Sequence, residues 1–116
     1  MANKYQLVNE IANETIKYMS QSSENWIEFL NTASNNYKYS FSEQVLIYAQ
    51  KANATACADI ETWNKRLKRW VNKGAKGIAL LSIENGRSVL RHVFDISDTH
   101  SGIGQELKLW EVKPSY

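Results

Sequence analysis

The tetrapeptide Glu84-Asn85-Gly86-Arg87 constrains this chain more than any other stretch. Asn-Gly is a favoured centre for a type I′ turn, because both central residues take positive φ, which asparagine and glycine reach at least cost. Apolar runs flank it on both sides, so the sequence predicts an antiparallel hairpin with strands Ile78–Ile83 and Ser88–Ile96, Glu84 facing Arg87 across the turn. In that register Ala79, Leu81, Ile83, Leu90, Phe94 and Ile96 share one face, expected to be the core face. The other face carries Ile78, Leu80, Val89 and Val93 together with Arg91, and is expected to be at most half covered.

Upstream of the hairpin the period changes from two to 3.6. Tyr5, Val8, Ile11, Ala12, Thr15, Ile16 and Met19 form one stripe of a first helix over residues 3–19. Ser23 is expected to cap a second helix, with Glu24 in its first turn and Trp26, Phe29, Leu30, Ala33 and Tyr37 at helical spacing. Asn35-Asn36 ends it. A third helix, capped by Ser42, carries Val45, Leu46, Ile47, Tyr48 and Ala49 around its whole circumference, the mark of a helix enclosed by neighbours. It should be the hub of the core, and Gln44 within it must find a hydrogen-bond partner. Lys51–Ala58 reads as loop.

The next stretch, Asp59–Gly77, reads as a fourth helix capped by Asp59 and closed at Asn72-Lys73-Gly74, with Gly74 suited to a left-handed C-cap. Ile60, Trp63, Leu67, Trp70 and Val71 would then lie on one arc about 100° wide. Lys65, Arg66, Lys68, Arg69 and Lys73 would occupy the rest, with Glu61–Lys65 the one ion pair available at helical spacing. Such a face, continued by the Lys73–Gly77 turn with Lys76, suits phosphate. Trp63 and Trp70 are assigned to the core, Trp70 at the edge of the arc being the better stacking candidate. Tyr37, Tyr39 and Phe41, ahead of the hub helix, could either stack on bases or staple that helix. Beyond the hairpin, Asp98–Glu106 reads as loop, and Leu107–Val112 has the pattern of a third short strand ended by Pro114.

Composition limits the alternatives. The chain has 116 residues, the size of one domain, and a net charge of only +2, so electrostatic attraction must come from a patch. No apolar run approaches the ~20 residues that span a bilayer, no stretch reads as a signal peptide, and the single cysteine, Cys57, fits a reducing compartment. A cytoplasmic location with no membrane partner is expected. Asp95, Asp98 and His100, with His92 nearby, match no defined metal-ligand spacing; Asp95 is expected to end a strand and Asp98 to cap a turn. The sequence has no H-E-x-x-H, P-loop, G-x-S-x-G or paired-cysteine motif. We therefore expect no metal, no cofactor and no catalytic residue in this chain. A metal-dependent enzyme built on Asp95, Asp98 and His100 is the minor reading.

An ordered series runs through the middle of the chain. It comprises Tyr39-Ser40-Phe41 with Gln44, Leu46-Ile47 and Gln50; Ala54-Thr55; Trp63; Val71, Lys73-Gly74 and Lys76-Gly77-Ile78; and Val93-Phe94-Asp95-Ile96 followed by Thr99. From about Trp26 to Thr99 this resembles the N-terminal domain of the ArdC-type antirestriction proteins. The same domain stands at the front of large proteins of conjugative plasmids and integrative elements. The resemblance implies an α+β domain that binds single-stranded DNA. It precedes a zinc metalloprotease-like domain in the antirestriction proteins, and methyltransferase- or helicase-like regions in the larger relatives. Two positions depart from the pattern: the family often has proline where this chain has Ala52, and glycine where it has Lys68.

Together these readings predict an α+β domain of about four helices followed by an antiparallel hairpin, the leading module of a longer mobile-element protein. Its expected function is sequence-tolerant binding of single-stranded DNA in conjugation or antirestriction. The residues expected to meet DNA are Lys65, Arg66, Lys68, Arg69, Lys73, Lys76 and Arg91, the glycines Gly74 and Gly77, and the rings of Tyr39, Phe41 and Trp70. The alternative is a protein-interaction module that docks an acidic partner surface or the C-terminal remainder of its parent chain. The sequence leaves the oligomeric state undetermined.

Overall fold

The computed structural model describes residues 3–101 and is α+β. Three helices come first: α1 (Lys4–Met19), α2 (Ser23–Asn35) and α3 (Phe41–Gln50). Strand β1 (Cys57–Ala58), a short π-helical turn (Thr62–Arg66) and β2 (Arg69–Val71) follow. The hairpin β3 (Ile78–Glu84) and β4 (Arg87–Asp95), a 3-10 turn (Ile96–Asp98) and β5 (Thr99–Ser101) complete the described chain. One sheet has the order β1-β4-β3, and β2 pairs with β5 in a second, two-stranded sheet. All pairings are antiparallel.

The hairpin forms as its turn dictates. Asn85 and Gly86 have φ of 53° and 77°, and Glu84 pairs with Arg87. Its faces, however, are the reverse of the sequence expectation. Ile78, Leu80 and Val93 are buried against α3, whereas Ala79, Leu81, Leu90 and Phe94 are half-buried and Ile83 and Ile96 are exposed. Arg91 made the inner face look like the outer one. Its guanidinium instead donates to Glu43 Oε2 at the start of α3, 2.7 Å away, so the charge is carried inward with a partner.

The hub assignment of α3 holds. Leu46 and Ile47 pack with Val8, Ala54, Ile78, Leu80 and Val93, while Val45 and Tyr48 pack with Met19, Phe29 and Ala33. One helix therefore joins both clusters, although Ala49 faces solvent. Gln44 Nε2 donates to the carbonyl of Asn36, 3.2 Å away, which supplies the required partner. Gln50 reaches the outer edge of β3: its Oε1 accepts from the Ala79 N–H and its Nε2 donates to the Ala79 carbonyl, each at 2.8 Å.

The caps lie upstream of the serines first assigned. Ser22 accepts from the Asn25 N–H, and Ser40 forms a capping box with Glu43. Ser40-Phe41-Ser42-Glu43 has the S-x-x-E spacing of that box, which Ser42 lacks. In α1 the buried line is narrower than the predicted stripe: Val8 and Met19 are buried, Ala12 and Thr15 half-buried, and Tyr5, Ile11 and Ile16 exposed. In α2, Phe29, Thr32 and Ala33 are buried, and Trp26 and Leu30 exposed.

The largest departure is in the basic stretch. Asp59 does begin a helical turn, its Oδ1 accepting from the Thr62 N–H at 2.8 Å. That turn closes in π geometry, with the Leu67 N–H donating to the Thr62 carbonyl, and goes no further than Arg66. Lys68 then takes φ of 55°, and Arg69-Trp70-Val71 leaves as a strand paired with Ser101-His100-Thr99. An aromatic beside a β-branched residue suits a strand, and the pairing partner lies some 30 residues away. Only Trp63 of the expected apolar arc is buried; Ile60, Leu67 and Trp70 are exposed. Gly74, at φ of 85°, serves the turn between β2 and β3, where it caps no helix. The segments expected to be loop also contribute short strands, β1 and β5. The third strand expected at Leu107–Val112 lies outside the described residues.

Candidate nucleic-acid interface

The π-helical turn and the segment joining α2 to α3 face each other across a cleft of about 450 Å³. Asn35–Tyr39 form one wall, with Ala56–Asp59, Thr62, Trp63, Arg66 and Leu67 opposite. The cleft exists because each wall is tied to the core. Asn36, buried, donates through Nδ2 to the Thr32 carbonyl and accepts through Oδ1 from the Cys57 N–H, which joins the end of α2 to β1. Trp63 is buried beneath, its Nε1–H donating to the Phe94 carbonyl at 2.9 Å. Tyr39 donates its hydroxyl to the Cys57 carbonyl, 2.9 Å away.

These anchors also set the protonation states. Burial, with the neighbouring Cys57, pushes the Tyr39 phenol up to about 12. Burial, with the Asp95 carboxylate, pushes the Cys57 thiol up to about 12 as well. Both are neutral at physiological pH, and the thiol is not a nucleophile there. The Asp59 carboxyl is held below the usual carboxylate range, because it accepts from the backbone N–H and the hydroxyl of Thr62, with Arg91 nearby. It is therefore a fixed negative charge on the cleft wall.

Of the residues expected to meet DNA, the structure brings two, Tyr39 and Arg66, to this cleft. Lys65 is exposed beside Glu61, 3.5 Å away, an exposed pair of small energetic weight. Lys68, Lys73 and Lys76 are exposed, and none takes part in an ion pair among the described residues. Two arginines differ from expectation. Arg69 donates from Nε to Thr99 Oγ1 at 2.8 Å and from Nη2 to the Thr99 carbonyl, which fastens β2 to β5. Arg91 is paired with Glu43. Both guanidinium groups are thus engaged in holding the fold.

Gly77 also has a role other than the expected one. A Cβ there would lie 3.0 Å from His92 Cβ and 3.3 Å from Phe94 Cζ, so its absence lets the chain enter β3 close against β4. Gly74 faces open space. Phe41, half-exposed, stands edge-on to Phe29 with ring centroids 5.7 Å apart, which is a packing role. Trp70 is 41% exposed on β2, opposite His100.

Sequence reasoning passed over Lys38 and Asn36. Tyr37-Lys38-Tyr39 alternates rings with a cation, a signal that could have exposed Lys38; Tyr37 is 74% exposed at the rim. Asp95 ends β4 as expected. It is fully buried, its Oδ1 accepting from the Thr55 and Ala56 N–H groups and its Oδ2 from the N–H and hydroxyl of Ser97. Four donors saturate it. Asp98 lies 4.0 Å from Lys51, and His100 Nδ1 lies 2.6 Å from Asn72 Oδ1. Among the described residues no group of three or more histidine, cysteine or carboxylate side chains is placed to hold a metal. Nor is any helix among them long and apolar enough to cross a membrane.

No family model, no curated protein and no solved structure matches the chain.

Proposed function

We propose that this chain binds single-stranded DNA through the cleft between the α2–α3 segment and the π-helical turn. It does so with little sequence preference along most of the strand. The observation that carries the reading is the joining, at one place, of rings with cations that have no ion-pair partner among the described residues: Tyr37 and Tyr39 with Lys38 and Arg66. Lys65, Lys68, Lys73 and Lys76 extend positive charge along the neighbouring chain. Rings that accept any base, beside cations that follow the backbone, form the general arrangement for unpaired strands. On this reading the chain is a binding domain without catalysis of its own, acting in the cytoplasm.

The resemblance to ArdC-type N-terminal domains supports the same function and implies a leading module of a mobile-element protein. One structural detail agrees with it. The position that the family often fills with glycine is Lys68, and its φ of 55° is one that glycine adopts freely.

Fluorescence anisotropy with a labelled oligonucleotide tests the proposal. With about four phosphates engaged, log affinity should fall with log salt at a slope of about −3, and duplex DNA should compete poorly. Absence of binding at low salt, or binding indifferent to salt, would refute it. A second reading, docking onto the rest of the parent chain or another protein through an apolar contact, draws on Leu7, Ile11 and Tyr18, which line one exposed side of α1. Leu7→Ser with Ile11→Ser would then abolish a protein complex and leave DNA retention unchanged.

A further inference from the structure

We infer that the outer face of the β2–β5 ribbon is a second base-stacking platform for single-stranded DNA, formed by Trp70 and His100 side by side. This rests on the reading of the chain as a single-stranded DNA binder, and it adds a place of contact outside the cleft.

The strand pairing builds the platform. Burial alternates along both strands: Arg69 and Val71 are half-buried and Thr99 and Ser101 buried, while Trp70 and His100 are exposed. Trp70 pairs directly with His100, so the two rings leave the same face of the ribbon, with Cβ atoms roughly 4.5–5.5 Å apart. Arg69 fastens the ribbon through its bonds to Thr99. Asn72 tethers the imidazole, His100 Nδ1 lying 2.6 Å from its Oδ1. A ring already held by a hydrogen bond gives up less freedom when a ligand stacks on it.

The surrounding charge selects the occupant. Lys68 and Lys73 flank β2, both exposed and without an ion-pair partner among the described residues. Of the described residues that adjoin the two strands in sequence, Asp98 is the only carboxylate, and it lies 4.0 Å from Lys51. Rings bordered by such cations suit a polyanion that offers flat apolar faces, which unpaired bases on a phosphate backbone do. Duplex DNA keeps those faces stacked on one another and offers the rings nothing.

The platform also lies within reach of the cleft. Leu67 lines the cleft and Trp70 follows three residues later, a Cα separation of no more than about 11 Å, the rise of about three stacked nucleotides. Lys68 stands between them in the chain. One strand can therefore engage the cleft and the ribbon together, the second contact then being intramolecular.

The test uses the full chain and oligo(dT) of about 15 nucleotides, long enough for both contacts. Trp70→Thr removes the ring and keeps a residue suited to a strand. It should weaken binding about tenfold, the weight of one stacked base, and leave the salt slope unchanged, because no charge is lost. Trp70→Phe should retain most of the affinity, and His100→Thr should lose less than Trp70→Thr. The strand should quench the tryptophan fluorescence of the wild type, and Trp70→Phe should lose much of that quenching. Wild-type affinity in Trp70→Thr, or undiminished quenching in Trp70→Phe, would overturn the inference and leave the proposed function standing. So would a loss in Trp70→Thr that flattens the salt slope, the mark of a displaced cation. If Trp70→Thr does not fold, the quenching comparison in Trp70→Phe decides alone. Failure of the wild-type chain to bind the strand at low salt would overturn both.

Discussion

Lys68→Gly offers a test in which stability and binding move in opposite directions. Lys68 is held at φ of 55° between the π-helical turn and β2, and its side chain is exposed. A residue with a Cβ in the left-handed region carries roughly 1–2 kcal/mol of strain, which glycine escapes. Glycine in turn loses about 0.5–1 kcal/mol more backbone entropy on folding than alanine does. The balance is a gain of about 0.5–1 kcal/mol, or about 2–6 °C in Tm for a domain of this size. Lys68→Ala is the control, since it removes the same charge and retains the Cβ. Thermal melts by circular dichroism should place Lys68→Gly above wild type and Lys68→Ala no higher than wild type. If Lys68 meets a phosphate, both variants should flatten the salt dependence of binding by about 0.7 in slope. A glycine variant that melts at or below the alanine variant would refute the backbone argument, whatever happens to DNA.

Two further outcomes follow from the geometry. Asp95→Asn should destabilise the fold by about 1–3 kcal/mol, because an amide sets its own N–H groups against donors that the carboxylate accepted. Burial alone would raise the Asp95 pKa, but the bonds from Ser97, Ala56 and Thr55 outweigh it and hold it below the usual carboxylate range. The native state therefore binds fewer protons than the unfolded chain. The contribution is complete above the unfolded value of about 4 and is lost as pH falls through the lower native value. Melts from pH 7 to pH 2 should show a shallower acid decline in Asp95→Asn than in wild type. Tyr37→Ala should weaken single-stranded DNA binding by about 1–3 kcal/mol at constant salt while leaving Tm unchanged, since the ring is 74% exposed.

Features decided by near neighbours were legible in the chain. Helical spacing located α1, α2 and α3, and Asn85-Gly86 gave the hairpin and its register, because a turn and its flanking strands are specified within a dozen residues. Features decided at long range were not. Arg69–Val71 joins β5 across some 30 residues, so its helical spacing was a coincidence overridden by pairing and by the left-handed step at Lys68. Arg91 misled the choice of hairpin face because its partner, Glu43, stands 48 residues away. The candidate site was half visible: Tyr39 and Arg66 could be named in advance, but Lys38 and Asp59 join them only once Asn36 has drawn β1 against the end of α2.

The reach of Gln50 to Ala79 bears on how molecules of this chain behave toward one another. Among the described residues β3 is an edge of its sheet, and the Ala79 N–H and C=O point away from β4, the groups through which a strand of another molecule would add. The Gln50 amide offers the same donor and acceptor as a peptide unit and already occupies both. A single side chain thus stands where a foreign strand would begin to pair. The protection is intramolecular, so it persists at any protein concentration, and it lasts as long as α3 stays docked on the hairpin. Partial detachment of that helix would expose core and sheet edge in one event, coupling solubility to the integrity of the hub.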